Sequence, residues 1–302
     1  MRARGRLLSC LVTVVIALAG FVTAGALPAA AAPSTVPYVA LGDSYAAGTA
    51  AAGIPPNCPH GEGGYPKSLE DESRIDLTAN AACSGATTSD VADNDEDGQL
   101  SALKSDTRLV TVTVGAANLG LSAVLAACSN PSTLEECQRR INSALALLRD
   151  CPEDEDPLIL DCSLTPLFAK VAEKARGARI VVTGYPLLFD PSVANNFPFR
   201  DINEATTRLN SLIERAVTAT QQATYANIYY VDVTKEFARH GIVDPRSCTD
   251  DASDFIHRLS LLPTCDPRPD PEAFHPTLAG YQAYVKAIKT KLPAGWLDKP
   301  AT

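Results

Sequence analysis

The sequence has few of the residues on which several classes of protein depend. Only 6% of its 302 residues are aromatic, with a single Trp, so a binding groove lined by aromatic rings is not expected. Asp and Glu number 35 against 26 Lys and Arg, and the basic residues form no stripe along the chain. Because phosphate contacts need clustered Lys and Arg, the composition argues against nucleic acid or an anionic membrane as a partner.

Long hydrophobic runs are also missing after residue 32, where none reaches the roughly 20 residues needed to cross a bilayer. The one long run, residues 7–22, follows three Arg and leads into four alanines at residues 29–32. A basic start, an apolar middle and a small-residue end are typical of a secretory signal peptide. We therefore predict that residues 1–32 are a signal peptide and that residues 33–302 are exported, without stable membrane insertion. Loss of the three Arg changes the formal net charge from −9 to −12.

Closely spaced cysteine pairs are absent, which argues against a structural zinc site, because such sites use C-x-x-C pairs with further Cys or His. Eight cysteines remain beyond residue 32, an even number that predicts disulfides in an exported protein. Eight cysteines allow 105 connectivities, so the pattern stays open. Pairing nearest neighbours gives Cys58–Cys83, Cys128–Cys137, Cys151–Cys162 and Cys248–Cys265.

Strand-like and helix-like segments alternate along the chain. Short runs of β-branched and aliphatic or aromatic residues predict strands at residues 38–41, 75–78, 109–114, 179–183 and 227–231. Helical periodicity predicts helices at residues 138–149, 164–175, 203–225 and 277–292. This alternation predicts a mainly parallel sheet with helices on both faces. No repeat or long linker interrupts residues 33–302, so we expect one domain.

A candidate nucleophile follows the first predicted strand. Ser44, in Gly42-Asp43-Ser44, falls at the carboxyl end of that strand, where active sites of parallel sheets lie. A serine hydroxyl is a weak nucleophile and needs a neighbouring base. His275, just before the last predicted helix, is a candidate for that base. The motif G-x-S-x-G is absent, which argues against the ordinary α/β-hydrolase architecture.

Three blocks of sequence resemble the GDSL (SGNH) hydrolase family, in its secreted bacterial esterase and lipase branch. They are Gly42-Asp43-Ser44-Tyr45-Ala46-Ala47-Gly48, the segment around Gly85, and Glu272-Ala273-Phe274-His275-Pro276. The resemblance covers nearly all of residues 33–302. It implies a three-layer α/β/α sandwich of flavodoxin-like topology, with a parallel five-stranded sheet in the order 2-1-3-4-5.

The same resemblance implies roles for individual residues. Ser44 would be the nucleophile and His275 its base, with the Ser44 and Gly85 N–H groups as oxyanion donors. The family usually has an Asn as third donor, but this chain has Ala117 there and Asn118 one residue later. Three possibilities stay open: Asn118 turns into the oxyanion hole, the enzyme is slow with two backbone donors, or activity is lost. Removal of one such donor typically lowers turnover by ~10²–10³.

The third member of a catalytic triad also differs from the family pattern. An Asp often lies three residues before the histidine and orients the imidazole, whereas this chain has Glu272 at that position. Either the Glu272 carboxylate or its backbone carbonyl could orient His275. A solvated loop acid without a catalytic role is the third possibility.

The function expected from the resemblance is hydrolysis of a carboxylic ester, of a small molecule or a lipid, through a Ser-His acyl-enzyme. The alternatives are a carbohydrate O-deacetylase and a non-enzymatic binding protein on the same scaffold. We expect no cofactor, no metal and a monomer. The acidic loop from Asp93 to Asp97 resembles half of a calcium loop but has Lys104 in place of the final Glu ligand.

Overall fold

Short β-branched and aliphatic runs form a parallel sheet at the centre of the fold. The structure, a computed structural model, describes residues 35–48, 64–93, 98–128, 131–153, 156, 158–244, 247, 249, 251, 253–258 and 273–297, which belong to one compact unit. The strands are β1 (Val36–Gly42), β2 (Ile75–Asn80), β3 (Leu109–Thr113), β4 (Arg179–Thr183) and β5 (Ile228–Val231). Their order is β2-β1-β3-β4-β5 and every neighbouring pair is parallel, so the predicted sheet is confirmed.

Helices cover the sheet in two layers. Helix α2 packs on α8, while α6 packs on both α7 and α3. Because both faces are covered, all five residues of the central strand β3 are buried. The helices are α1 (Ser44–Ala47), α2 (Tyr65–Asp71), α3 (Thr88–Val91), α4 (Leu121–Cys128), α5 (Leu134–Leu147), α6 (Leu160–Lys174), α7 (Phe199–Thr224) and α8 (Leu278–Lys289).

Three helices begin earlier than the sequence pattern predicted. Helix α5 starts at Leu134 rather than at residue 138, and its first turn carries Glu135 and Glu136, which favour a helix N-terminus. Helix α6 starts at Leu160 rather than at residue 164 because the Leu160 side chain is fully buried. Helix α7 begins at residue 199 rather than 203. Helices α2, α3 and α4 were not predicted at all.

The carboxyl ends of the first strands meet at one edge of the sheet. Gly42 at the end of β1 pairs with Thr113 at the end of β3. Gly42 has φ +127°, and a β-carbon there would lie 2.0 Å from the Thr113 carbonyl oxygen. Only glycine therefore fits this position, and the chain can turn directly from β1 into the segment that carries Ser44.

Two disulfides join neighbouring elements. Cys128 at the end of α4 is bonded to Cys137 in α5, and Cys151 is bonded to Cys162 in α6. Cys83 is also disulfide-bonded. Its predicted partner Cys58 and the predicted pair Cys248 and Cys265 lie outside the described residues. Within the same described ranges, no helix is long and apolar enough to cross a membrane.

Candidate active site

Ser44 is held in a tight turn between β1 and α1. Asp43 is the N-cap of α1, and its carboxylate accepts a hydrogen bond of 3.0 Å from the Tyr45 N–H. The Gln99 side chain pairs with both backbone groups of Gly42, accepting from its N–H at 2.7 Å and donating to its carbonyl at 2.9 Å. These contacts fix the backbone on both sides of the turn, so Ser44 starts α1 in a defined orientation.

The structure brings His275 to Ser44. Ser44 Oγ and His275 Nε2 are 2.8 Å apart, and His275 Nδ1 lies 3.1 Å from the Ala273 carbonyl oxygen. A carbonyl oxygen only accepts, so Nδ1 carries the proton in this arrangement. The other ring nitrogen, Nε2, then carries no proton and can accept that of the Ser44 hydroxyl, as a general base must.

The base loop, residues 273–277, is anchored to a neighbouring segment. The His257 N–H donates to the His275 carbonyl at 2.8 Å, and the Phe274 N–H donates to the His257 carbonyl at 2.9 Å. The first of these bonds belongs to a short antiparallel bridge between Ile256 and Pro276. The loop therefore enters α8 with a fixed backbone, and Thr277 caps that helix.

Glu272 lies outside the described residues, so the role of its carboxylate stays a prediction. The backbone alternative was predicted for the Glu272 carbonyl. The carbonyl that contacts the imidazole is that of Ala273, two residues before the histidine rather than three. The acidic loop is likewise not described between residues 94 and 97.

Gly85 lies in the turn that follows β2. It has φ +83°, a left-handed conformation that suits glycine, and a β-carbon added to it would meet no atom within 4 Å. The turn is tied to the nucleophile strand, because the Cys83 N–H donates to the Gly42 carbonyl at 3.0 Å. Among the described residues, neither the Gly85 nor the Ser44 N–H has a hydrogen-bond partner. Both N–H groups are therefore available to an oxyanion.

Asn118 is engaged elsewhere. Its Oδ1 accepts from the Thr88 N–H at 2.9 Å, and its Nδ2 donates to the Thr88 hydroxyl at 3.0 Å. The side chain thus holds the first residue of α3. Among the described residues, the Asn118 side chain forms its hydrogen bonds with Thr88 and none with Ser44 or His275. Ala117 has no polar side-chain atom to offer in its place.

A buried network lies beneath the nucleophile and was not foreseen from the sequence. The Tyr185 hydroxyl donates to the Asp43 carboxylate at 2.5 Å and accepts from the Ala116 N–H at 3.2 Å. Burial raises the pKa of Asp43 to about 7, against the opposing effect of the Tyr185 hydrogen bond. The network joins the Ser44 turn to the turn after β3. The position of Tyr185 just after β4 is the one feature of the sequence that could have suggested this network.

An apolar cavity of about 30 Å³ lies next to the site. Two residues of the buried network, Tyr45 and Tyr185, form one side of it. The rest comes from α4, α5 and α7, with Val124, Ile141 and Leu209 among the lining residues, and from the segments that follow β3 and β4. The lining suits an apolar group, and a volume of about 30 Å³ has room for one small group rather than for an extended chain.

A Ser-His pair at the carboxyl edge of a parallel α/β/α sheet defines a serine hydrolase. The chain belongs to the GDSL-like lipase/acylhydrolase family, whose model matches residues 40–283. Hydrolase activity is what this family and the chain's relatives share.

Curated relatives include two lipases of Streptomyces coelicolor strain A3(2). Lipase 1 is 28% identical over 92% of this chain and 94% of its own length. Lipase 2 is 31% identical over 68% of this chain and 73% of its own length.

Two solved structures share the fold of this chain. Phospholipase A1 from Streptomyces albidoflavus NA297 superposes with a TM-score of 0.66 at 27% identity, covering 85% of this chain and all of that one. The extracellular lipase from Streptomyces rimosus superposes with a TM-score of 0.64 at 24% identity, over 85% and 100% of the two chains. At that identity the second match shows the fold alone.

Proposed function

We propose that this protein is an exported serine esterase or lipase in which Ser44 is the nucleophile and His275 is the base. The observation that carries the proposal is the 2.8 Å contact between Ser44 Oγ and His275 Nε2, with Nδ1 on the Ala273 carbonyl. This is the nucleophile, base and orienting group that acyl transfer requires.

The reaction has two halves. Ser44 Oγ bonds to the ester carbonyl carbon as its proton passes to His275 Nε2, and the imidazolium then donates that proton to the departing alkoxide oxygen. Water next attacks the acyl-Ser44 ester while Nε2 takes one of its protons. The carboxylic acid leaves, and Ser44 regains its proton from His275. These steps draw on groups of the chain and on water.

Backbone N–H donors stabilise the negative charge on the oxygen of the tetrahedral intermediate. We assign this role to the N–H groups of Ser44 and Gly85, which are unpaired among the described residues. Asn118 supports the hole indirectly, because its side chain holds Thr88, three residues after Gly85. A hole with two backbone donors makes a slower enzyme than one with three.

The substrate we propose is a carboxylic ester with an apolar acyl group. The cavity beside Tyr45 has an apolar lining, and the relatives named above include lipases and a phospholipase A1. Export follows from the predicted signal peptide at residues 1–32. We propose a single catalytic domain in residues 33–302, acting as a monomer.

The experiment is hydrolysis of p-nitrophenyl acetate, butyrate and palmitate by the purified, oxidised protein. Wild type should turn over butyrate faster than acetate, and Ser44→Ala should lower turnover by about 10⁴-fold or more. Ser211→Ala is the matched control, because Ser211 is an exposed serine on α7. Equal rates for wild type and Ser44→Ala would refute the nucleophile. A preference for acetylated sugars over all three esters would indicate a deacetylase instead.

A further inference from the structure

Two consecutive residues of α1 contact two consecutive residues of the base loop. Ser44 Oγ meets His275 Nε2, and the hydroxyl of the next residue, Tyr45, donates to the carbonyl of Phe274 at 2.6 Å. Nucleophile and base are therefore joined by a pair of bonds, only one of which belongs to the reacting groups. The second bond acts on the backbone that carries the imidazole.

Three consecutive carbonyls of the base loop, those of Ala273, Phe274 and His275, each have a partner. The Ala273 carbonyl faces His275 Nδ1, the Phe274 carbonyl accepts from Tyr45, and the His275 carbonyl accepts from the His257 N–H. Since a backbone carbonyl contacts Nδ1, the orientation of the imidazole depends on how firmly this backbone is held. Tyr45 supplies the hold from the side of the nucleophile.

Phe274 has a conformation that needs such a hold. Its φ is +64°, in the left-handed region, which is unfavourable for residues other than glycine. Outlying backbone of this kind persists where surrounding contacts fix it. The hydrogen bond from Tyr45 to the Phe274 carbonyl is one of those contacts, and the Phe274 N–H bond to the His257 carbonyl is another.

Burial and ring packing hold the Tyr45 hydroxyl in position for this bond. The side chain is buried, with 2% exposed, and its ring centroid lies 5.3 Å from that of His275 and 5.1 Å from that of Tyr185. Burial raises the pKa of Tyr45, so the phenol keeps the proton that it donates. Replacement by Phe would keep the ring contacts and remove only the hydroxyl.

We propose that Tyr45 is a positioning residue for the general base, acting through its hydrogen bond to the Phe274 carbonyl. This inference rests on the proposed function, since it assigns Tyr45 a part in the Ser44 and His275 reaction. The Tyr45 hydroxyl bonds to the Phe274 carbonyl and not to Ser44 or His275, while the Tyr45 ring lines the apolar cavity and is kept in Tyr45→Phe. Its effect is on the fraction of molecules in which Nε2 faces Ser44.

The test compares Tyr45→Phe with Tyr284→Phe. Tyr284 is a buried tyrosine of the same aromatic cluster, with its ring 6.4 Å from that of Tyr45, and its hydroxyl also donates to a backbone carbonyl, that of Gly184 at 3.1 Å. Both variants lose one buried phenolic donor, but only Tyr45→Phe releases the base loop. We expect Tyr45→Phe to lower kcat on p-nitrophenyl butyrate by about 10-fold to 100-fold with KM little changed. Tyr284→Phe should keep the wild-type kcat.

Two further readouts separate positioning from a general loss of structure. The rate at which a fluorophosphonate labels Ser44 should fall in Tyr45→Phe by the same factor as kcat. The Nδ1 proton of His275 should give a sharp proton resonance in wild type and Tyr284→Phe, and a broadened one in Tyr45→Phe. Equal kcat, labelling rate and Nδ1 resonance in the two Phe variants would overturn the inference.

The outcome for Tyr45 can be told apart from the outcome for the proposed function. If wild type and Ser44→Ala hydrolyse the ester equally, the proposed function fails and the inference fails with it. If Ser44→Ala is inactive while Tyr45→Phe matches Tyr284→Phe, only the role of Tyr45 is lost.

Discussion

At the scale of single residues, Asp43 places a carboxyl group in the interior beside the nucleophile. Its side chain is 1% exposed and is held by Tyr185 and by the Tyr45 N–H. Burial disfavours the charged form, which is why the pKa of Asp43 rises from 3.8 to about 7. The folded protein therefore binds this proton more tightly than the unfolded chain does.

This difference predicts how stability depends on pH. A raised pKa in the folded state means that the contribution of Asp43 is greatest below about pH 4 and is lost as pH rises to about 7. A pKa shift of about three units corresponds to a loss of the order of 4 kcal/mol in the free energy of unfolding. Asp43→Asn cannot ionise at this position, so its free energy of unfolding should not show this part of the decline with rising pH. Urea unfolding of both proteins at pH 4, 6 and 8 measures it, and parallel pH profiles would contradict the prediction.

Ala117 gives a second prediction at this scale. The family pattern has a donor side chain at this position, whereas Asn118 is bonded to Thr88. Ala117→Asn should raise kcat by about 10-fold, less than the 10²–10³ usually lost on removal of a donor, because the new side chain is not preorganised. Ala117→Leu has a similar size without the donor and should not raise kcat. A rise in both variants, or in neither, would argue against a missing donor.

The sequence predicts the two residues that we propose to react, but not the residues that hold them. Ser44 and His275 could be predicted because short motifs place them at the ends of elements. Tyr45, Gln99 and Tyr185 could not, since their bonds to Phe274, Gly42 and Asp43 join segments far apart in the chain. No local pattern encodes such contacts.

At the scale of elements, strands were easier to predict than helix starts. Buried parallel strands are continuous apolar runs, so β4 was predicted with its observed bounds and β5 to within one residue. The start of α6 depends on the tertiary burial of Leu160. The polar sequence before Leu160 gave no indication of this burial. Pro166 lies inside the same helix, although a proline ordinarily favours a helix start.

The disulfide between α4 and α5 yields a prediction for these elements. Both helices line the apolar cavity, through Val124 and Ile141. Replacing Cys128 and Cys137 by Ala should lower the free energy of unfolding by about 3 kcal/mol, because the closed loop is lost from the unfolded state. It should also reduce the preference for butyrate over acetate, because the cavity wall is loosened.

The control is the double Ala variant of Cys151 and Cys162, whose disulfide closes a loop of similar length. Cys162 lies in α6, which contributes no residue to the cavity lining, whereas α4 and α5 both contribute to it. This variant should lose comparable stability by urea unfolding but keep the wild-type chain-length preference. A changed preference in both variants would show that the disulfides act on the cavity only through overall stability.

At the scale of the whole molecule, the order of the strands determines which residues can react together. In a parallel sheet of order β2-β1-β3-β4-β5, the segments after β1, β2, β3 and β4 emerge at one edge. That edge gathers Ser44, Gly85, Asn118 and Tyr185 from four separate parts of the chain. His275 joins them from the loop before α8. Alternating strand and helix patterns predicted this arrangement, whereas the hydrogen-bond partner of Asn118 depended on the packing of α3.

The most direct test of the whole account is covalent labelling with a fluorophosphonate, followed by mass spectrometry of the labelled peptide. Such a probe reacts with a serine that a neighbouring base activates. We expect one label per molecule, on Ser44, with labelling strongly slowed in His275→Ala and ester hydrolysis lost in step with labelling. Hydrolysis that continues after Ser44 is fully labelled, or a wild-type protein that hydrolyses esters without labelling at Ser44, would contradict it.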